Sequence, residues 1–552
     1  MVQIKKLKVG LITDGSIVYD HVAQLADWIE SSPNHELRAE IVQRVWFLED
    51  GRLVRKIIFF LKSRGIKKSV RTIVFRFVSL IDLLFTKVVS PQSLAFLESN
   101  SVIKPTTRIE VVPLISPRGQ VYEFSNSDLN RIRDLGCDVL IRCGSGILRG
   151  EILTCVPFGV LSFHHGDNRQ FRGGPPGFWE VFTRSNQTGF IVQRLTETLD
   201  GGEVLVRGSI GTKPLFTWNR ADIFQHSLYS MCHLLEVIAD KYETPCPEKL
   251  LAIGNIYSVP SVLVSMTYLT NTLKLLIKKL FEKAFRNTPK WSVRVFKGNW
   301  DCLDPESQVV VSCPKDCFIA DPFLYKSNSQ IYLFVEEFSF RQRKAHIAVY
   351  EVASNSVNRL GIAIREEFHI SFPFVFEIDG ELFMCPESLS ARQVRLYRVA
   401  NFPLEWELVE ILMSDVDATD PVIFFRNHKW WLLFTRDLSG RGDSHSVLEL
   451  FSSETLIGGF WKPHPSNPVR FDAVGGRNGG FVDEHGLITR FGQIQGFNQY
   501  GKDLCAFRIK EISEECYREE EVPFATPNLS GRIFGIHHLS SIGSFTAIDT
   551  LS

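Results

Sequence analysis

The chain has 552 residues, 44% of them hydrophobic and 22% charged, with Lys+Arg and Asp+Glu balanced at 62 each. That length exceeds one ordinary core and points to roughly three to four domains. The formal charge of zero argues against a nucleic-acid partner, which needs a net basic field.

The first predicted element is an apolar strand, KVGLITDG (Lys8 to Gly15), followed by a helical pattern through VAQLADWIESS. This is the βα opening of a doubly wound sheet. The turn lacks GxGxxG, so a dinucleotide site is not supported. The basic start is short and the apolar run ends at Asp14, so it reads as a strand and not as a signal peptide. The eleven cysteines cannot all pair internally, and reduced thiols in the cytoplasm are expected.

From Arg52 to Lys87 apolar residues recur at helical spacing with Lys and Arg filling the gaps. The pattern predicts a basic helical insertion over about residues 52–100. Its basic helices, 52–87, either pack on the neighbouring domain or contact a membrane peripherally, at its inner face. Strands are then predicted at RIEVVPLI (Arg108 to Ile115), CDVLIRCG (Cys137 to Gly144), GVLSFHH (Gly159 to His165) and GFIVQRL (Gly189 to Leu195). A helix is predicted at SDLNRIRDLG and another at ADIFQHSLYSMCHLLEVIADKY, the latter leading into a less regular, partly basic connection to about Lys290. No run of about 18 apolar residues suggests a membrane-crossing helix.

Beyond Trp291 the texture is all-β, with aromatic strands such as SQIYLFVEEF, FPFVFEIDGELFMCPES and DPVIFFRNHKWWLLFTRD separated by Asp, Gly and Asn turns. Hairpins that recur with a period near 50 residues predict a β-propeller of about five blades rather than a sandwich. Cys313 and Cys317 (CPKDC) have a metal-like spacing. No second pair stands at a partner distance, and a zinc site takes about four ligands, so no metal is expected.

Two stretches carry the chemistry. GVLSFHHGDNRQFRGGPPGFWEV and TGFIVQRLTETLDGGEVL place His164, Arg172, Gly173, Pro176, Trp179, Thr188, Gly189, Leu199, Asp200 and Gly202 in one register. This register resembles the signature of the N10-formyltetrahydrofolate-dependent formyltransferases, among them methionyl-tRNA and sugar N-formyltransferases. The resemblance implies a Rossmann-like α/β domain over residues 1–212, with N10-formyltetrahydrofolate as co-substrate. It implies His164 and Asp200 as the catalytic pair and Arg172, Gly173 and Trp179 on the substrate side. Main-chain groups of Cys143, Gly144, Ser145, Gly146, Ile147 and Leu148 would meet the folate. A protonated His at a strand end can donate to a developing oxyanion, and a nearby carboxylate would hold and charge the imidazole. One position departs from the pattern: Ser162 stands where the family has Asn, and a hydroxyl is a shorter donor. His165, Asp167 and Asn168 crowd the same loop.

In the second half, residues 291–552, ADPFL resembles the first blade of five-bladed domains of the arabinanase and levansucrase type. Asp321, Glu387 (CPES) and Asp420 (TDP) are then the inward acids. A glycosidase needs two carboxylates across the scissile bond. The segments HPSNPVRFD, GGRNGG, RFGQIQ and YG look more like non-hydrolytic propellers fused to some glycosyltransferases. The combined expectation is a Rossmann-like formyltransferase domain, a helical connection over 213–290 and a five-bladed propeller. The activity expected is formyl transfer to an amino sugar carried on a nucleotide, lipid or polysaccharide. The alternatives are a glycan-binding scaffold with a vestigial site, or a propeller-type glycoside hydrolase.

Overall fold

The computed structural model describes residues 6–15, 17–45, 66–97, 101–103, 107–117, 120–198, 202–248, 254–285, 289–353, 355–438, 443–484, 486–524, 526 and 533–552. They divide into two compact units, Met1–Leu280 and Phe281–Ser552.

The first unit is built on seven strands: β1 (Leu7–Thr13), β2 (His35–Gln43), β3 (Arg108–Val111), β4 (Val139–Arg142), β5 (Val160–His164), β6 (Gln187–Arg194) and β7 (Glu203–Gly211). Their order is β7-β6-β5-β4-β1-β2-β3. The five strands from β5 to β3 run parallel, and β6 and β7 add antiparallel at one edge. β1 is apolar on both faces because helices cover both. Val139 and Ile141 of β4 point to one core with α1 (Asp20–Ser31) and α4 (Phe216–Lys241), whereas Leu140 joins α3 (Asn126–Asp134) in the other. This is the period-two alternation of a strand. Ser125 caps α3, its hydroxyl accepting the Asp128 N–H at 3.1 Å.

Three elements depart from the sequence reading. The predicted strand Arg108–Ile115 breaks after Val111, and Leu114–Ile115 pairs instead with Val121–Glu123. Pro113, which has no N–H to give a ladder, lies at the break. The connection expected to be irregular contains a long helix, α5 (Val262–Phe285). Only Ser265, Tyr268 and Thr272 are buried among its residues up to Lys279, so it offered no fully buried aliphatic stripe to read. Of the basic insertion, residues 52–65 and 98–100 lie outside the described residues, and between them stand α2 (Ile66–Val89), packed on α4, and a short 3-10 helix, Pro91–Leu97. Asp82 of α2 is buried and accepts the Phe216 and Thr217 N–H groups at 3.3 and 2.7 Å, closing the N-terminus of α4.

The second unit consists of five separate antiparallel sheets of four or five strands. Four of them begin with β9 (Cys317–Ser327), β10 (Ser371–Ile378), β11 (Ala418–Arg426) and β12 (Val474–Glu484). The fifth joins β8 (Trp291–Lys297) to β13 (Leu539–Ile542) and β14 (Phe545–Leu551), so the two ends of the unit share one sheet. Strand pairing stays within each sheet, and no closed barrel forms among the described strands. The leading strands touch in turn: β9 with β10, β10 with β11, β11 with β12, β12 with β13, and β13 with β9.

A candidate cleft and a candidate charged cluster

In the first unit, the parallel strands end at one edge of the sheet. There Arg142, Gly146, Ile147, Leu148, Ser162 and His164 line a cleft of about 120 Å³, with Gln193 opposite. β4 delivers Arg142 and β5 delivers Ser162 and His164, both by their C-terminal ends, where ligands of such sheets are met. Arg142 donates to the carbonyl of Gly146 and, at 3.4 Å, to the Ser162 hydroxyl. Ser162 in turn donates to its neighbour's carbonyl at 3.1 Å.

Some of the residues singled out in the sequence stand together here and others do not. Ser162, His164 and the Gly146–Leu148 stretch share the cleft. Asp200 lies outside the described residues. Cys143, Gly144 and Ser145 do not line it; they lock the sheet edge, with the Ser145 N–H donating to Asp14 at 2.7 Å. A Cβ on Gly144 would stand 2.7 Å from both Asp14 Oδ1 and Gln43 Nε2, so that glycine serves a close approach within the unit itself. Arg172 and Gly173 lie on a strand paired with Asn255–Tyr257, and the Trp179 indole donates to the Gly174 carbonyl at 3.4 Å. None of the three lines the cleft. Arg142 and Gln193 were missed, although a charged residue ending the buried run VLI was the visible signal.

The crowded loop is committed to the scaffold. Asp167 pairs with Arg207 at 2.6 Å and Arg169 at 2.8 Å. Burial pushes its carboxyl up, but the two guanidinium groups outweigh this and hold it below the usual range. Asn168 accepts from Arg207 at 3.0 Å. His165 is within 3.0 Å of the Ser227 hydroxyl, and burial, with His21 and His164 nearby, keeps its imidazole neutral far below the ordinary value.

In the second unit, three leading strands carry the same bulge. Ala320-Asp321-Pro322, Ser371-Phe372-Pro373 and Thr419-Asp420-Pro421 each interrupt the register of β9, β10 and β11. The central residues are left-handed, with φ of 48°, 44° and 51°. A bulge re-aims its side chain and leaves an N–H without a ladder partner. Carboxylates from neighbouring sheets take those N–H groups. Asp549 accepts from Asp321 at 3.2 Å, Asp321 from Phe372 at 3.2 Å, and Glu387 from Asp420 at 3.2 Å. Asn478 of β12 completes the series by donating to the Asp420 carbonyl at 2.8 Å.

Cations sit among these acids. Arg477 holds Asp420 at 2.6 Å and approaches Glu387 at 3.8 Å. His537 bridges Asp321 and Asp549, its Nε2 and Nδ1 lying 3.1 and 2.9 Å from their oxygens. Burial alone would lower the imidazole pKa, but the Asp549 and Asp321 carboxylates raise it to about 10. Burial pushes Asp321 up, and His537 outweighs it and brings the carboxyl below the usual range. Glu336, which faces Ala320 across the strand pair, is pushed well up by burial and by Asp321. Asp321, His537 and Asp549 are close enough to share a metal ion. A carboxylate oxygen lies against each ring nitrogen, which favours the protonated imidazole when no ion is bound there. Tyr500 covers Arg477, its ring 5.1 Å from the guanidinium, and neighbours Trp291 at 6.1 Å. Tyr500 is 36% exposed, so the cluster has an aromatic edge open to solvent.

The structure therefore brings Asp321, Glu387 and Asp420 together. Glu336, Arg477, Tyr500, His537 and Asp549 are additions that sequence reasoning did not assign. Arg477 and Tyr500 fall in the segments GGRNGG and YG that had stood out, whereas nothing in IHHL marked His537.

Comparison with known proteins places one family match in this second unit. Residues 301–532 match the family model described as glucosamine inositolphosphorylceramide transferase 1, N-terminal. Glucosamine inositolphosphorylceramide transferase 1 of Arabidopsis thaliana is 38% identical over 245 residues, which is 41% of this chain and 30% of that protein. The methionyl-tRNA formyltransferase of Deinococcus radiodurans is 31% identical over 116 residues, covering 20% of this chain and 36% of the relative. A thermostable family-43 glycoside hydrolase overlaps with a TM-score of 0.30 at 12% identity, over 39% of this chain and 78% of the hydrolase. The chain spans about a third of the length of these two relatives. The longer and more similar match corrects the expectation of formyl transfer to an amino sugar: the relative that carries it is a glucosamine inositolphosphorylceramide transferase, not a formyltransferase.

Proposed function

We propose that this chain is a transferase-class protein of glycolipid assembly whose second unit recognises the sugar headgroup of the lipid. We read its five sheets as the blades of a five-bladed propeller, supported by the cyclic contacts of the leading strands. The observation that carries the proposal is the charged cluster on those strands, edged by Tyr500 and Trp291. Sugars offer hydroxyls to hydrogen-bonding groups and C–H faces to aromatic rings, and a few convergent polar groups fix their orientation. Carboxyl groups outnumber the cations of Arg477 and His537 here, so the cluster suits a hydroxyl-rich or amine-bearing sugar better than a phosphate. The match to the N-terminal model of glucosamine inositolphosphorylceramide transferase supports a glucosamine-bearing glycolipid as the ligand class.

The hydrolase reading gains little from the same acids. Asp321 is tied to His537 and Asp420 to Arg477, so neither is a free base poised toward an open site. Titration calorimetry of the full chain with glucosamine inositolphosphorylceramide in detergent micelles tests the proposal. Saturable heat is expected, reduced about tenfold or more in affinity by Tyr500→Ala, whose stacking surface is removed. Equal binding by Tyr500→Ala and wild type, or no heat at millimolar headgroup, overturns it.

A further inference from the structure

Two helices of the first unit present apolar stripes to solvent. On α2, Val70, Ile73, Phe77, Leu80, Leu84 and Val88 are exposed at helical spacing, Ile73 at 67% and Val88 at 84%. These positions lie on the side away from Phe75, Val78, Asp82 and Thr86, which are buried. On α5, Leu263, Met266, Leu273 and Ile277 form a second exposed stripe, opposite buried Ser265, Tyr268 and Thr272. The inner faces meet where the Tyr268 hydroxyl donates to Asp82.

Charge accompanies both stripes. α2 carries Lys67, Lys68, Arg71, Arg76 and Lys87, all exposed, and its one acid, Asp82, is buried. α5 carries Lys274, Lys278 and Lys279 and no acid among its residues up to Lys279. In a chain of formal charge zero, this concentrates positive charge beside exposed apolar surface. Neither helix is long and apolar enough to cross a membrane.

We infer that the outer faces of α2 and α5 dock in the interface of an anionic lipid bilayer. An apolar stripe flanked by Lys and Arg is the pattern of a helix lying in the headgroup plane. Its apolar side chains enter the acyl boundary and its cations meet lipid phosphates and carboxylates. The occupant is set by charge complementarity: a second copy of this chain would set one basic face against another. The inference does not depend on what the second unit binds.

Vesicle co-sedimentation of the full chain tests it, using phosphatidylcholine alone and phosphatidylcholine with phosphatidylserine. Binding is expected to the anionic vesicles only and to weaken with salt. Phe77→Asp with Leu80→Asp, or Leu273→Asp with Ile277→Asp, should each lower partitioning about tenfold or more. Arg71→Glu with Arg76→Glu should do the same without touching the apolar stripe. An Ile73→Trp variant should show blue-shifted, acyl-quenchable emission on anionic vesicles, a readout that needs no loss of binding. Light scattering supplies the rival outcome. A dimer that Phe77→Asp dissociates, with vesicle binding absent or unchanged, overturns the inference. So does an Ile73→Trp variant whose emission, compared with wild type, is unaffected by lipid.

Discussion

Raising the pH should weaken the second unit by discharging His537. The imidazole lies between Asp321 and Asp549, which raise its pKa from 6.5 to about 10. A group whose pKa is raised on folding contributes stability that is complete below its unfolded value and is lost as pH climbs through the folded one. The window is therefore from about 6.5 to 10. At about 1.4 kcal/mol for each pH unit, the loss across it has an upper bound of about 5 kcal/mol. The buried acids Glu336 and Asp420 titrate upward on folding as well, and their ionisation acts in the same direction. The assay is urea unfolding followed by tryptophan fluorescence at several pH values, since Trp291 packs 4.0 Å from the His537 ring. A decline of at least about 2 kcal/mol between about pH 7 and 10 is expected. His537→Gln should lower stability at neutral pH and flatten the slope. A stability that is level or rises over this window in the wild type would refute the imidazolium bridge.

Two further outcomes test the packing around the candidate sites. Arg490 is fully buried and pairs with Glu519 at 2.6 Å. Arg490→Met should cost about 3 kcal/mol because Glu519 keeps only Arg470 and Tyr517, and adding Glu519→Leu should restore part of the loss in the same urea assay. Asp82→Ala removes the acceptor at the N-terminus of α4 and leaves the Tyr268 hydroxyl without its carboxylate, so about 2 kcal/mol should be lost, with Asp82→Asn intermediate. Equal melting temperatures for Asp82→Ala and wild type would show that backbone packing alone sets that helix end.

Much of the first unit was legible because its strands are buried on both faces. LKVGLIT and VLIR read as apolar runs whatever the tertiary context, and helices between them imply a parallel sheet. The site was legible only where residues share a strand: Ser162 and His164 stand two apart on β5 and so point to the same side. Arg172 and Trp179 looked part of that site because they follow it in sequence. The chain, however, turns away into the strand pair with Asn255–Tyr257, a contact 84 residues distant that no local pattern reveals. α5 escaped because sequence patterns identify a helix by the face it buries, and this one buries hydroxyls. In the second unit, hairpins announced themselves by aromatic alternation. His537 could not, since its importance arises only when β13 and β14 return beside β8 and β9.

The recurring bulges explain why acids looked catalytic from sequence alone. A left-handed residue before proline costs roughly 1–2 kcal/mol for a non-glycine side chain, least for Asp. It also strands a buried backbone N–H, which costs about 1–3 kcal/mol if unpaired. A carboxylate from the adjoining sheet removes the second cost, so Asp549, Asp321 and Glu387 are needed wherever such bulges meet, whether or not chemistry occurs there. Buried carboxylates in turn require cations, and Arg477 and His537 supply them. An Asp-Pro pair in this architecture is first a structural joint. What would distinguish a ligand site from a joint is a partly exposed edge, and in this cluster the partly exposed ring is Tyr500, stacked over Arg477.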